Sequence, residues 1–432
     1  MIELPLIQFN PKLPRLSVSE KATLKLLVEA GKLIAPIYLE QEKQAKDGPS
    51  REEIEKSGKN DPEILSPYTV VEKIDGKLTA TPYHIKYANL LAPISQKLNK
   101  AASITDNKEF AKALITQAKT LLDGSYEEAI ITWLKTKPYI LDIFIRPIKQ
   151  FDSSLPFSKA SYQSWVGVMD FEGTERFNNY KDITLSVARK GLTPKERVDN
   201  QEKVEAKVLD VFLLSGYMAK TKFVGVHLPI DVSIFEKYGA SITLFNQPND
   251  LRVEEQIIPT FNKIFSPGFK EGYNQEDLRR GYLRAVALHE LAHTYLQYKN
   301  ATDNLRDLFS VIDELAATIL GLRMAGVLLL KDRITEKMLE SMVVTFLCRS
   351  FFQKDKGNIS TNPLHNYALG GSIFINFMLQ NGAIKMSNEI VVPNFMKIFM
   401  ALHELSDTLE HLLSEGSYKE AGRFIQNYGD IK

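Results

Sequence analysis

The stretch Ala287-Leu288-His289-Glu290-Leu291-Ala292-His293 decides how the second half of this 432-residue chain is read. From Tyr282 to Tyr298 there is no Pro or Gly, and Leu and Ala are frequent, which supports an uninterrupted helix. On a helix, residues four apart lie one turn apart on one face, so His289 and His293 come within reach of a single metal ion. Glu290 follows the first histidine, where its carboxylate can take a proton from a water on that ion. This is the HExxH pattern of zinc hydrolases.

A zinc site that keeps one position open for water needs a third protein ligand. Downstream, Ser310-Val311-Ile312-Asp313-Glu314-Leu315-Ala316-Ala317-Thr318 is another breaker-free segment, and Glu314 falls 21 positions after His293. That interval lets the first helix end, turn through the polar Lys299 to Asn304, and return antiparallel. A Glu-x-x-Ala on a second helix is the usual third ligand of His₂Glu zinc peptidases, and Ala316 and Ala317 permit close helix approach. Two satisfied structural histidines are the bland alternative, and the helical context with the well-spaced Glu314 weighs against it.

Composition sets bounds. The chain is 44% hydrophobic and 25% charged, as in globular proteins, and long enough for two lobes with separate cores. A net charge of +1 gives no electrostatic case for nucleic acid or an anionic membrane as partner. Cys348 is the one cysteine, so no intramolecular disulfide is possible, and its apolar surroundings read as core. Met1-Ile2-Glu3-Leu4-Pro5 is not a signal peptide, and the apolar run Met324 to Leu330 is too short to span a bilayer; both favour a cytoplasmic location.

Along the chain, Ser19 to Ala45 reads as one helix, Gln41 to Glu63 as a solvated stretch, and Tyr83 to Leu122 and Tyr126 to Leu134 as further helices. Ile140 to Ile145, Ser164 to Met169, Phe223 to Val226 and Ser241 to Phe245 have strand composition. Val204 to Tyr217 reads as a helix, and from Glu254 onward nearly everything is helical. The expected architecture is α+β and mostly helical, with two lobes and a cleft. Residues 1–250 form a mixed α/β lobe with a small sheet or barrel, and residues 251–432 an all-helical lobe carrying the metal.

This order of elements, from about residue 65 to 385, resembles the dipeptidyl-peptidase III family of zinc exopeptidases. Asp313-Glu314-Leu315-Ala316-Ala317 resembles the family's Glu-Glu-Cys-Arg-Ala, whose second acidic residue is a zinc ligand. The resemblance places the ligand on Glu314 and a carboxylate that orients a ligand histidine on Asp313. Trp133-Leu134 through Trp165-Val166-Gly167-Val168 resembles the family's Trp-containing helix and its Phe-Glu-Gly-Phe-Val-Ala-Val strand. Leu228-Pro229 through Thr243-Leu244-Phe245-Asn246 resembles its Leu-Pro-Asn to Leu-x-Asn stretch, implying a substrate-binding amide at Asn246. His365 resembles the family's histidine beyond the metal helices, which contacts the substrate carbonyl and the transition state.

The departures are specific. The family carries HExxxH, with one residue more than here. Its Gly-Phe-Ile-Glu-x-Tyr stretch supplies an amine-binding Glu and a catalytic Tyr; in Arg146-Pro147-Ile148-Lys149-Gln150-Phe151 these places fall to Lys149 and Phe151. The Asn of Leu-Pro-Asn is Ile230. A lysine cannot bind a substrate ammonium, and Phe151 has no hydroxyl to steady an oxyanion.

Three other features read as structural. His403-Glu404-Leu405-Ser406-Asp407, with His411 beyond it, reads as a helix face. His84 and His227 lack ligand-spaced partners, and Trp165 reads as core.

Taken together, the sequence describes a Zn²⁺-dependent peptidase acting on short peptides. His289, His293 and Glu314 hold the ion and Glu290 is the general base; the resemblance implies that His365 donates to the oxyanion, with a loop or cap histidine as the alternative there. A weakly active or inactive peptide-binding protein of the same fold is the alternative, motivated by the missing Glu, Tyr and Asn.

Overall fold

The computed structural model describes residues 3–149, 159–191, 203–356 and 365–429. As expected, the architecture is α+β and mostly helical, with one principal sheet. The chain forms two compact units, Met1–Asp170 with Leu209–Phe223, and Phe171–Val208 with Val224–Lys432. It passes between them after Asp170, Val208 and Phe223, where the sequence reading placed a single boundary at residue 250.

The first unit contains β1 (Leu6–Gln8), α1 (Val18–Lys32), α2 (Ile34–Asp47), α3 (Ala88–Ile104), α4 (Lys108–Asp123), α5 (Tyr126–Lys135), β2 (Leu141–Ile148), β3 (Ser161–Met169) and the second part of β4 (Val204–Gly216). A capping box starts α1, with Ser17 accepting from the Glu20 amide and Glu20 accepting from that of Ser17. The single helix expected from Ser19 to Ala45 is divided at Leu33. Pro36 explains the break: it has no N–H to donate into a preceding turn and is tolerated only near a helix start.

The strands run in the order β2, β3, β4, β1, all antiparallel, with Phe144 opposite Trp165 and Arg146 opposite Gln163. Alternation gives each face its own role. Leu141, Ile143, Ile145, Tyr162, Val166 and Val168 face a core that includes Leu24, Leu27, Leu91, Ile94 and Leu114 from the helices. On the other face Phe144 and Trp165 stack at 4.2 Å, Trp133 of α5 meets Phe144 edge-on at 5.4 Å, and Trp165 Nε1 donates to Asp142 at 3.0 Å. Trp165 is fully buried, a core residue as expected.

β4 is a correction. The sequence reading made Val204 to Tyr217 a helix, because its apolar residues also recur at helical spacing. The structure makes it a strand: Val204, Ala206 and Val208 point in while Glu205 points out, a period of two. Beyond Leu209 apolar residues on both faces of the strand are buried, so the alternation fades.

The second unit holds helix Phe171–Gly191, the first residues of β4, β5 (Gly225–Leu228), β6 (Ala240–Phe245), α6 (Gln275–Tyr295), α7 (Phe309–Leu330), α8 (Glu336–Lys356), α9 (His365–Gln380), α10 (Phe395–Ser414) and α11 (Tyr418–Tyr428). β5 pairs antiparallel with β6. The helices surround a core that includes Leu288, Leu291, Ile312, Ile319, Val343, Leu347, Phe374 and Leu405. Cys348 lies buried in it as a free thiol, its pKa pushed up by burial. The expectation of an all-helical second half is corrected by a hairpin, Ile384–Ser387 with Ile390–Pro393, turned at Asn388 and Glu389, both at positive φ. On α10, His403, Asp407 and His411 are exposed and Asp407 pairs with Arg323 at 2.7 Å. Among the described residues no helix is long and apolar enough to cross a membrane.

The first core yields a direct test. Leu27 is 0% exposed, whereas Ile115 on α4 is 53% exposed. Leu27→Ala should lower the stability of the first unit by about 3 kcal/mol, and Ile115→Ala by less than about 0.5 kcal/mol. Thermal unfolding of both variants checks this, and similar losses would contradict the assigned core.

Candidate metal centre

The centre is built where α6 crosses α7. α6 begins with a capping box, Asn274 with Asp277, and runs unbroken to Tyr295, carrying His289 and His293 on one face. α7 brings Asp313, Glu314 and Thr318 to that face. The close approach depends on Gly321, two turns after Glu314: a Cβ there would lie 2.9 Å from the His289 amide nitrogen and 2.9 Å from the Leu288 carbonyl carbon. A glycine inside a helix costs about 1 kcal/mol against alanine, so its presence marks where the two backbones need the room.

His289, His293 and Glu314 form a group that could hold a metal ion, with one ligand atom from each lying within 4.8 Å of the others. His289 Nε2 lies 3.3 Å from His293 Nε2 and 3.3 Å from Glu314 Oε2, and His293 Nε2 lies 3.9 Å from that oxygen. With Zn–N bonds of about 2.0–2.1 Å at a tetrahedral angle, two ligand nitrogens stand about 3.3 Å apart. Two edges of the triangle match that separation and the third exceeds it by about half an ångström.

The neighbours settle which ring nitrogens carry protons. The Thr318 hydroxyl donates to the Glu314 carbonyl oxygen at 3.0 Å, so its oxygen accepts from His289 Nδ1 at 2.9 Å. His293 Nδ1 faces Asp313 Oδ2 at 3.3 Å. Both rings therefore turn Nε2 inward, the arrangement by which outer partners orient metal-binding histidines. Glu314 Oε2 is buried and accepts no hydrogen bond. Two nitrogens and an orphaned carboxylate oxygen facing one another need a positive charge between them, and a proton on His293 or a cation can supply it.

Burial would lower the His293 pKa, but the Asp313, Glu314 and Glu290 carboxylates outweigh it and raise it to about 10. Burial would raise Glu314, but His289, His293 and Arg349 outweigh it and hold it at about 2. Glu290 is raised, by burial first and then by Glu314, against the pull of the histidines. The centre is not sealed, since the Glu314 side chain retains 26% exposure and that of His293 14%.

Four neighbours had no role in the sequence reading. Gly225 on β5 sits against Glu290, where a Cβ would come within 2.7 Å of Glu290 Cγ and 2.8 Å of Oε1. Arg349 on α8 donates to the Tyr282 hydroxyl, two turns before His289, and lies 5.4 Å from the Tyr367 ring. Thr318 could have been singled out, being one turn beyond Glu314; nothing in the sequence marks Gly225 or Arg349. His227, read as structural, packs beside the centre, its ring 6.3 Å from that of His293 and its Nε2 3.1 Å from Thr294 Oγ1. Burial lowers its pKa to about 3, so it is neutral.

The structure thus brings His289, His293, Glu314, Asp313 and Glu290 together. Asn246 begins the helix Asn246–Arg252, directly after β6. His365 opens α9, and its side chain, like Gln150 and Phe151, lies outside the described residues. Lys149 is exposed just after β2, and Ile230 is also exposed.

Two solved structures share this fold closely. Dipeptidyl-peptidase III from Caldithrix abyssi superposes with a TM-score of 0.81 at 18% identity, over 96% of this chain and 91% of that one. The enzyme from Corallococcus sp. strain EGB gives 0.81 and 18%, over 99% and 91%. The chain has the dipeptidyl-peptidase III fold. Among curated proteins, Nudix hydrolase 3 of Arabidopsis thaliana is 24% identical over 367 residues, 82% of this chain and 46% of that protein. The chain therefore spans about half the length of the curated relative it matches. No family model matches the chain.

A metal ligand must be a neutral imidazole, and His293 without metal is protonated below about pH 10. Metal uptake at pH 7 should therefore release about one proton per ion, with apparent affinity falling about tenfold for each unit the pH drops. Calorimetry in two buffers of different ionisation enthalpy measures the release, and none would contradict the protonated centre.

Proposed function

We propose that this chain is a zinc-dependent peptidase acting on short peptides, with His289, His293 and Glu314 as ligands and Glu290 as general base. The observation that carries the reading is the triangle of ligand atoms at one-ion spacing, with a buried carboxylate of raised pKa one residue from the first ligand. When bound, zinc would supply Lewis acidity, polarising the scissile carbonyl and lowering the pKa of a coordinated water.

The protein's own residues do the rest. Glu290 takes a proton from the attacking water and passes it to the departing amine; burial favours its neutral form, which brings its pKa closer to that task. Thr318 and Asp313 hold the two rings in the orientation that presents Nε2. We assign to His365 donation to the oxyanion and to Asn246 a hydrogen bond to the substrate backbone, both on the family resemblance. The solved neighbours are peptidases by name, which favours the reading at the level of the fold. The name of the Arabidopsis relative weighs little, since the match covers less than half of that protein. A purely peptide-binding role leaves Glu290 unexplained, because a structural metal site needs no buried carboxylate beside its ligands.

Two measurements test the proposal. Elemental analysis should find one zinc per chain, lost in the His289→Ala, His293→Ala double variant; stoichiometric zinc in that variant would exclude this ligand set. Glu290→Gln should keep fold and zinc while kcat on a fluorogenic peptide falls by a factor on the order of 10³. A kcat near that of the unaltered protein would remove Glu290 from the mechanism.

A further inference from the structure

The first unit contains a buried and incompletely partnered cation. Arg146, near the end of β2, is 2% exposed, and its cross-strand neighbour on β3, Gln163, is 1% exposed. Being directly opposite, the two side chains lie on the same face of the sheet, the one that carries Phe144 and Trp165. The guanidinium packs over the Phe144 ring at 4.5 Å, and Phe144 in turn is held by its stack on Trp165.

The hydrogen-bond inventory is incomplete on both side chains. Nη2 of Arg146 donates to the Ala129 carbonyl at 3.2 Å, whereas Nε and Nη1 are buried and have no partner among the described residues. Both the Nε2 and the Oε1 of Gln163 are likewise buried without partners among the described residues. Two other buried polar side chains of this unit, Lys159 and Gln41, are engaged. Lys159 Nζ donates to Ile64 O, Ser66 O and Thr69 Oγ1 at 2.9, 2.6 and 2.9 Å. Gln41 both donates, to Ala160 O at 3.0 Å, and accepts, from the Tyr162 amide at 2.8 Å.

Charge balance makes the same point. Among the described residues, Tyr68 is the one neighbouring group that favours the charged form of Arg146. Burial lowers the guanidinium pKa to about 9, so it still carries its charge at neutral pH. Asp142, two pleats back on the same face, accepts from Trp165 Nε1. A π face compensates a buried cation in part. Water would satisfy the N–H groups without balancing the charge, and buried charges are ordinarily paired.

We propose that Arg146 and Gln163 form a binding site for a carboxylate flanked by an amide, the chemistry of a peptide's C-terminal residue. The carboxylate meets the free N–H groups of Arg146, a charge-assisted contact. The adjoining amide meets Gln163, whose Oε1 accepts an N–H and whose Nε2 donates to a carbonyl. The site belongs to the first unit, and binding there does not depend on zinc or on hydrolysis.

Thermal unfolding of the full chain at constant ionic strength tests this with three probes: N-acetylglycine, acetate and N-acetylglycinamide. A ligand that binds only the folded protein raises the melting temperature with the logarithm of its concentration. N-acetylglycine should raise it by several degrees near saturation, acetate less, and the uncharged N-acetylglycinamide not at all. Arg146→Met should abolish the response to both carboxylates. Gln163→Leu should reduce N-acetylglycine to the level of acetate, and it carries the test if the arginine variant does not fold. No response in the unaltered protein, an undiminished response in either variant, or equal effects of N-acetylglycine and N-acetylglycinamide would overturn the proposal.

Discussion

The second unit is organised around an electrostatic requirement: two imidazole nitrogens and one carboxylate oxygen are held face to face in a partly buried cluster. Such an arrangement is unfavourable unless positive charge sits within it. Its geometry is therefore imposed from outside, by the packing of α6 against α7 and by Thr318 and Asp313 behind the rings. The buried Leu288, Leu291, Ile312 and Ile319, from the turns that carry the ligands, set the relative position of the two helices. Core and centre are thus one construction, since the residues that exclude water also fix the ligand atoms.

The electrostatics extend a layer further. Burial works against ionisation at His293 and Glu314 alike, yet each is driven the other way by its neighbours. Glu290 is the exception, because for it burial prevails. Two carboxylates in one cluster are thereby separated into a ligand that stays ionised and a group that holds a proton more readily. Environment sets the division, since both are glutamates on well-formed helices.

Much of this was legible in the sequence, and the reasons differ by element. The histidine pair and Glu314 could be read because helical periodicity turns spacing into position. The strands β2, β3 and β6 could be read from their β-branched and aromatic content. β4 could not, because a strand covered on both faces loses the alternation that identifies it. The break at Leu33 was signalled by Pro36, and the hairpin near residue 388 had no Gly to announce its turn. Near the end of β2 the sequence draws attention to Lys149, which lies just past the strand and is exposed, while the buried cation is Arg146, three residues earlier. Composition identifies a charged residue but not which face of a strand it occupies or whether that face is covered. Gly225 was invisible for a related reason: its role lies in what a missing side chain leaves room for.

Gly321 carries a consequence of its own. It touches no ligand atom, yet its lack of a side chain allows α7 to approach within contact of the α6 backbone at Leu288 and His289. The gap between the helices sets the distance from Glu314 to the histidines, so this position works as a shim beneath the centre. Ions differ in bond length by tenths of an ångström, from the shorter bonds zinc makes to the longer ones of calcium. A single methyl group at 321 would shift the spacing on the same scale. In the proposed metal site, ion preference would thus be governed in part by a residue that never meets the ion, through the helix crossing and with every proposed ligand unchanged.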